Sequence, residues 1–226
     1  MTEKIALVTG ASRGFGFAAA RALGLAGWHV VAVARTVGGL EELDDAVQTA
    51  GGQTVLVPLD ITDDPGLERM GAALHGRFGR VDLWLHTAVH APPLSPAEHV
   101  DAKDLDKTIA VNVRAFQRLI RVVDPLLRFA SAPHALITAE DEVGSKFFGA
   151  YRASKAAQSA LTQAWAAEAA AKITVAEIIP PPMPTATRAR FFPGEDRRTL
   201  TEPAEVAERL IARLDSRIAP GERILL

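Results

Sequence analysis

Short β-branched runs alternate with longer alanine-rich stretches along all 226 residues, and this alternation constrains the fold more than any other feature. Runs such as Val30-Val31-Ala32-Val33 are apolar at every position. A strand with one wet face alternates polar and apolar residues, whereas a strand buried on both faces does not. The pattern therefore points to an α/β protein with a parallel sheet covered by helices on both sides. It predicts strands over 4–9, 29–34, 54–58, 81–87, 134–138, 173–179 and 223–226. Helices are predicted over 14–26, 39–50, 65–78, 102–129, 150–171 and 203–214.

Apolar residues make up 48% of the chain, enough for one substantial core, and a single domain over 1–226 is expected. No apolar run approaches the roughly 18 residues that a membrane span needs, so no membrane partner is expected. Met1-Thr2-Glu3-Lys4 leads straight into a strand pattern and leaves no room for a secretory signal. Cysteine is absent, which removes disulfides, thiolate nucleophiles and cysteine-bound zinc and is compatible with a cytoplasmic location. A net charge of −2 supplies no field that would attract nucleic acid.

The turn after the first predicted strand reads Thr9-Gly10-Ala11-Ser12-Arg13-Gly14-Phe15-Gly16. Glycines at such a strand-to-helix turn permit a tight bend, a close approach of backbone to ligand, and close packing of helix on strand. The helix that follows directs unpaired N–H groups at a phosphate. Far along the chain, its only tyrosine opens Tyr151-Arg152-Ala153-Ser154-Lys155. Residues four apart share one helix face, so the phenol and the ammonium are neighbours. A nearby cation favours phenolate, so Lys155 is expected to lower the Tyr151 pKa from its usual value near 10 and fit the phenol for proton transfer.

Taken together, Thr9-Gly10-x-x-x-Gly14-x-Gly16 and Tyr151-x-x-x-Lys155 resemble the short-chain dehydrogenase/reductase family over nearly the whole chain. The resemblance implies a Rossmann-type, doubly wound parallel sheet of about seven strands, with helices on both faces, binding a nicotinamide dinucleotide. It implies an oxidoreductase that moves a hydride between nicotinamide and a ketone, an aldehyde or a secondary alcohol. Tyr151 would be the proton donor and acceptor, and Lys155 would tune it and hold the ribose. Thr138, thirteen residues before Tyr151, stands where the family usually has a serine that binds the substrate oxygen. Asn112 matches the family asparagine that anchors a proton relay.

The cofactor is expected to meet Gly10, Ser12, Arg13, Gly14, Phe15 and Gly16 in the turn. Ala88, Tyr151, Lys155, Pro180, Met183 and Thr185 would lie along its nicotinamide side. Asp60 matches the position that bonds the adenine amino group, with Ile61 packed beside the ring. At the end of the second strand stands Arg35, where an acid would favour NAD(H). With Arg13 in the turn, two guanidinium forks are available for a 2′-phosphate, so NADP(H) is expected over NAD(H).

The substrate loop is expected at about 181–200, where Phe191 and Phe192 form either an apolar wall or an anchor onto the core. Three departures from the family pattern keep a second reading open. His86-Thr87-Ala88-Val89 replaces Asn-Asn-Ala-Gly, Pro180-Pro181 replaces Pro-Gly, and Thr138 replaces serine. The rival is a non-catalytic nucleotide-binding sensor or partner-binding protein. His86, His90 and His99 fit no metal-ligand spacing, so no metal is expected. Glu140-Asp141-Glu142 reads as a solvated acidic run. The alanine-rich stretch 156–171 and the stretch 115–129 are compatible with a homodimer or homotetramer, and equally with the interior packing of a monomer.

Overall fold

The computed structural model describes residues 3–141 and 146–226. Its sheet is seven-stranded and entirely parallel, in the order β3-β2-β1-β4-β5-β6-β7. In chain order the elements are β1 Ile5–Thr9, α1 Gly14–Leu25, β2 His29–Ala34, α2 Val37–Thr49, β3 Gln53–Pro58, α3 Asp64–Phe78 and β4 Leu83–His86. They continue with α4 Ala102–Ile109, α5 Ala115–Leu127, β5 His134–Thr138, α6 Gly149–Ala169, β6 Thr174–Ile179, α7 Ala186–Phe191, α8 Pro203–Leu214 and β7 Arg223–Leu225. The expected Rossmann-type α/β architecture is therefore observed.

The two sheet faces bury different residues of the same strands, because successive side chains point to opposite sides. Ala6, Val8, Val30, Ala32 and Ile178 pack on one face with Ala19 and Leu23 of α1 and Leu210 of α8. Leu7, Val31, Val33, Trp84 and Val175 pack on the other with Leu67 of α3, Phe116 of α5 and Trp165 of α6. This double burial is the physical reason for the unbroken apolar runs. Among the described residues, no helix is long and apolar enough to cross a membrane.

Strand β1 lies between β2 and β4, so the chain reverses its direction of growth there. Ligands in open α/β sheets bind in the crevice outside the strand ends at such a reversal. The turn 10–13, the segment 87–89 and the ends of β5 and β6 all open onto it.

The structure departs from the predicted elements in two places. The single helix expected over 102–129 is interrupted by a π-helical turn at Ala110–Arg114. Such turns are rare and concentrate at functional sites. The stretch expected as a substrate loop at about 181–200 contains α7, whose first turn is capped by the Thr185 hydroxyl accepting from Arg188 N at 3.2 Å.

Candidate active site

The crevice is a cleft of about 590 Å3. Every residue proposed from the sequence for cofactor or catalysis lines it, with the exception of Asn112. Its floor is the glycine turn. Gly10 has φ +93°, and a Cβ there would lie 2.6 Å from Ala88 N, so only glycine fits without strain. The Thr87 hydroxyl donates to Thr9 O at 3.0 Å and to Gly10 O at 3.3 Å, pinning the turn to the end of β4. Arg13 precedes α1 in extended conformation and supplies no side-chain cap. The first N–H groups of α1 thus remain available for a phosphate.

At the far end, Arg35 and Asp60 form an ion pair at 3.7 Å with both side chains well exposed. Burial works against the Asp60 carboxylate, but bonds from the Thr62 backbone and hydroxyl, together with Arg35, hold it below the usual range. The guanidinium expected at the 2′-phosphate and the carboxylate expected at the adenine thus stand beside each other in the lining of the cleft.

Tyr151 and Lys155 lie in the first two turns of α6, facing the ends of β4 and β5. Both are almost entirely buried, at 5% and 9% exposure. The Lys155 ammonium donates to Thr138 O at 2.6 Å and to Gln158 Oε1. Burial lowers its pKa to about 8, opposed by the charges of Glu140 and Glu177.

The expected lowering of the Tyr151 pKa is not what the protein itself produces. Burial raises the value well above 10, and the charge and hydrogen bond of Glu140 push it further. The Tyr151 hydroxyl donates to Glu140 Oε1 at 2.5 Å. The acidic run read as solvated thus places one carboxylate on the phenol. Glu142 and Ser145 lie outside the described residues.

The Thr138 hydroxyl donates to His86 O at 3.0 Å, which leaves its oxygen as an acceptor toward the cleft. His86 is completely buried, its Nδ1 2.8 Å from the Thr9 hydroxyl, and burial and the Lys155 charge bring its pKa down to about 3. It is therefore a neutral structural histidine.

Asn112 sits behind the cleft, in the π turn. Its Oδ1 accepts from His90 N at 2.7 Å, and its Nδ2 donates to His90 O and to the Ser154 hydroxyl, each at 2.9 Å. Ser154 in turn donates to Tyr151 O at 2.6 Å. The amide thus ties the segment after β4 to the helix that carries Tyr151. Helical periodicity alone does not reveal this clamp.

An aromatic wall closes the substrate side. Phe191 packs on the Tyr151 ring at 4.9 Å between centroids and on Phe148 at 5.0 Å. Val89, Ala91 and Phe192 border the same cluster. Phe191 thus serves both readings, as a wall and as an anchor. Sequence reasoning missed Thr87, Phe148, Gln158 and Glu177. A glutamate within an otherwise apolar strand pattern was the one legible signal among them.

Comparison with known proteins agrees with this geometry. The family profile described as short chain dehydrogenase matches residues 4–196. A fatty acyl-CoA reductase of Mycobacterium tuberculosis is 30% identical over 97% of this chain and 77% of its own length. Another, from Acinetobacter baylyi, is 32% identical over 79% of this chain, but the match spans only 62% of the relative's length. A short-chain dehydrogenase structure from Shigella flexneri complexed with NADP superposes with a TM-score of 0.92 at 28% identity, covering 100% of this chain and 97% of its own. The chain belongs to the short-chain dehydrogenase family, a family of oxidoreductases.

Proposed function

We propose that this protein is an NADP(H)-dependent oxidoreductase that reduces a ketone or aldehyde, or runs in reverse on a secondary alcohol. The observation that carries this reading is the meeting of Tyr151, Lys155 and the glycine turn in one cleft. The residues fit a phosphate-bearing cofactor: Gly10 leaves no room for a Cβ, the start of α1 has unclaimed N–H groups, and Arg13 and Arg35 line the adenosine end. Such a cofactor, when bound, supplies or accepts the hydride.

The chain's own residues handle the proton. During reduction Tyr151 gives its hydroxyl proton to the substrate oxygen, and during oxidation it takes that proton back. Thr138, at the end of β5, orients the oxygen by turning its hydroxyl proton from His86 O to the substrate. The Lys155 ammonium stabilises the phenolate formed when the proton leaves. Asn112 positions the α6 end through His90 and Ser154. The wall of Phe148, Phe191 and Phe192 favours an apolar substituent on the carbonyl carbon. NADP in the Shigella flexneri relative supports the cofactor choice, and the reductase names of the bacterial relatives support the reaction class.

A second reading, a non-catalytic nucleotide-binding protein, is favoured by the contact of Glu140 with the Tyr151 hydroxyl. One experiment separates the two: a panel of carbonyl compounds assayed with NADPH and NADH by cofactor absorbance. Turnover with NADPH that disappears in Tyr151→Phe supports the enzyme. NADPH binding without any turnover supports the sensor.

A further inference from the structure

Glu177 is a buried carboxylate that the proposed chemistry does not use. It interrupts the apolar strand β6 and is 1% exposed. Its cross-strand neighbours are Ile137 of β5 and Arg223 of β7. Alternation along β6 sends Ala176 and Ile178 to the α1 and α8 side, whereas Val175 and Ile137 belong to the side covered by α6. Glu177 therefore points beneath the helix that carries Tyr151 and Lys155. Its Oε2 accepts from Arg223 Nε at 3.0 Å, while Oε1 is buried without a hydrogen-bond partner among the described residues.

A buried carboxylate with a half-satisfied head is costly, and packing alone gives no reason to keep it. The neighbourhood supplies one. Arg223 also donates to Glu140 O at 2.9 Å, so a single guanidinium joins the loop behind Tyr151 to the carboxylate under α6. On the same helix Gln158, 2% exposed, receives the Lys155 ammonium, and its own carbonyl is held by the Thr162 hydroxyl at 2.9 Å.

We propose that Glu177 is a positioning residue for Lys155: a buried carboxylate, fixed by Arg223, that supplies the negative charge holding the ammonium beneath the cleft while Gln158 sets its place. This inference rests on Tyr151 and Lys155 being the proton-transfer pair. The groups facing Lys155 are Tyr151 and Gln158 from α6, Thr138 and Glu140 from β5 and its following loop, His86 from β4 and Glu177 from β6. His86 is neutral and Tyr151 is protonated at ordinary pH, and the negative charges acting on Lys155 come from Glu140 and Glu177. Burial already brings the ammonium down to about 8, with both carboxylates opposing the fall. Glu140 is the larger of these two charges, and Glu177 adds to it from the buried layer under α6, where screening by water is weak. Removing the Glu177 charge leaves the lysine ammonium to titrate at lower pH.

The test follows the Lys155 side chain directly. In the full-length chain, the Lys155 Cε resonance, assigned by its loss in Lys155→Met, is titrated against pH in wild type and Glu177→Gln. The expected result is a midpoint displaced downward by about one pH unit, a tenfold change in the ammonium-to-amine ratio. The alkaline limb of kcat/KM for carbonyl reduction should move by the same amount. Should Glu177→Gln unfold because Arg223 loses its partner, the double variant Glu177→Gln/Arg223→Gln is read instead, with displacement in the same direction. An unmoved Lys155 midpoint in either folded variant overturns the proposal. The resonance needs no turnover, so retained activity in Tyr151→Phe would remove the catalytic reading while leaving the lysine measurement standing.

Discussion

The Tyr151 hydroxyl donates to the Glu140 carboxylate at 2.5 Å, so the group expected to protonate substrate already has an anionic acceptor. A carbonyl oxygen must take that place before it can receive the proton. Glu140 therefore competes with substrate for the phenol, and its charge opposes phenolate.

Glu140→Gln keeps an acceptor oxygen and removes the charge. Burial, the larger cause of the raised value, remains, so the Tyr151 ionisation midpoint should fall without reaching the ordinary 10. Because this is the only tyrosine in the chain, near-ultraviolet phenolate absorbance reports it alone. Since the folded value lies above the unfolded one, wild type keeps this contribution to stability below pH 10 and loses it at higher pH. An identical midpoint in wild type and variant would show that the carboxylate does not act on the phenol.

Arg35→Ala tests the cofactor choice. Charge-assisted bonds to a phosphate contribute about 1.5–3 kcal/mol, which corresponds to roughly tenfold to hundredfold weaker NADPH binding. NADH lacks the phosphate and should bind almost unchanged. Fluorescence titration of both cofactors against both proteins measures the ratio, and equal losses for the two would remove Arg35 from phosphate recognition.

The features legible in the sequence are those written locally. The strands declared themselves because double burial demands apolar residues at every position. Tyr151 and Lys155 declared themselves because four residues is one helical turn, and Gly10, Gly14 and Gly16 because a strand-to-helix bend needs them together. What stayed hidden depends on contacts across the sheet. Periodicity placed Asn112 within one long helix, since a π turn adds a residue without interrupting the apolar face. Glu140 looked solvated because nothing near it in sequence shows that its carboxylate reaches a phenol eleven residues away. Gln158 and Glu177 acquire meaning only when α6 lies over β6.

Gly10→Ala tests the turn. The substitution imposes a side chain on φ +93° and drives Cβ against the Ala88 backbone. A strained non-glycine conformation of this kind costs about 1–3 kcal/mol. Urea unfolding should show that loss, together with weaker binding of either dinucleotide, because the displaced backbone is the phosphate floor. A variant as stable as wild type would mean that the turn relaxes freely.

The last prediction concerns acid sensitivity and follows from His86. This imidazole is entirely buried between Thr9, Trp84 and Phe116, and its folded pKa is about 3 against an ordinary 6.5. The unfolded chain therefore takes up a proton that the folded protein refuses between those two values. Stability contributed by the neutral ring is complete above pH 6.5 and declines as pH falls through the window toward 3. At pH 5 the unfolded ring is protonated over a span of about 1.5 pH units, worth about 2 kcal/mol at 1.36 kcal/mol per unit. His86→Asn has no group that titrates in this range. Its absolute stability at neutral pH is expected to be lower, because the asparagine cannot fill the space against Phe116. Its further loss between pH 7.5 and pH 5, measured by urea unfolding, should nevertheless be smaller than that of wild type by about the same 2 kcal/mol. The same acid slope in both proteins would mean that the ring does not resist protonation and that the acid response has its origin in other groups.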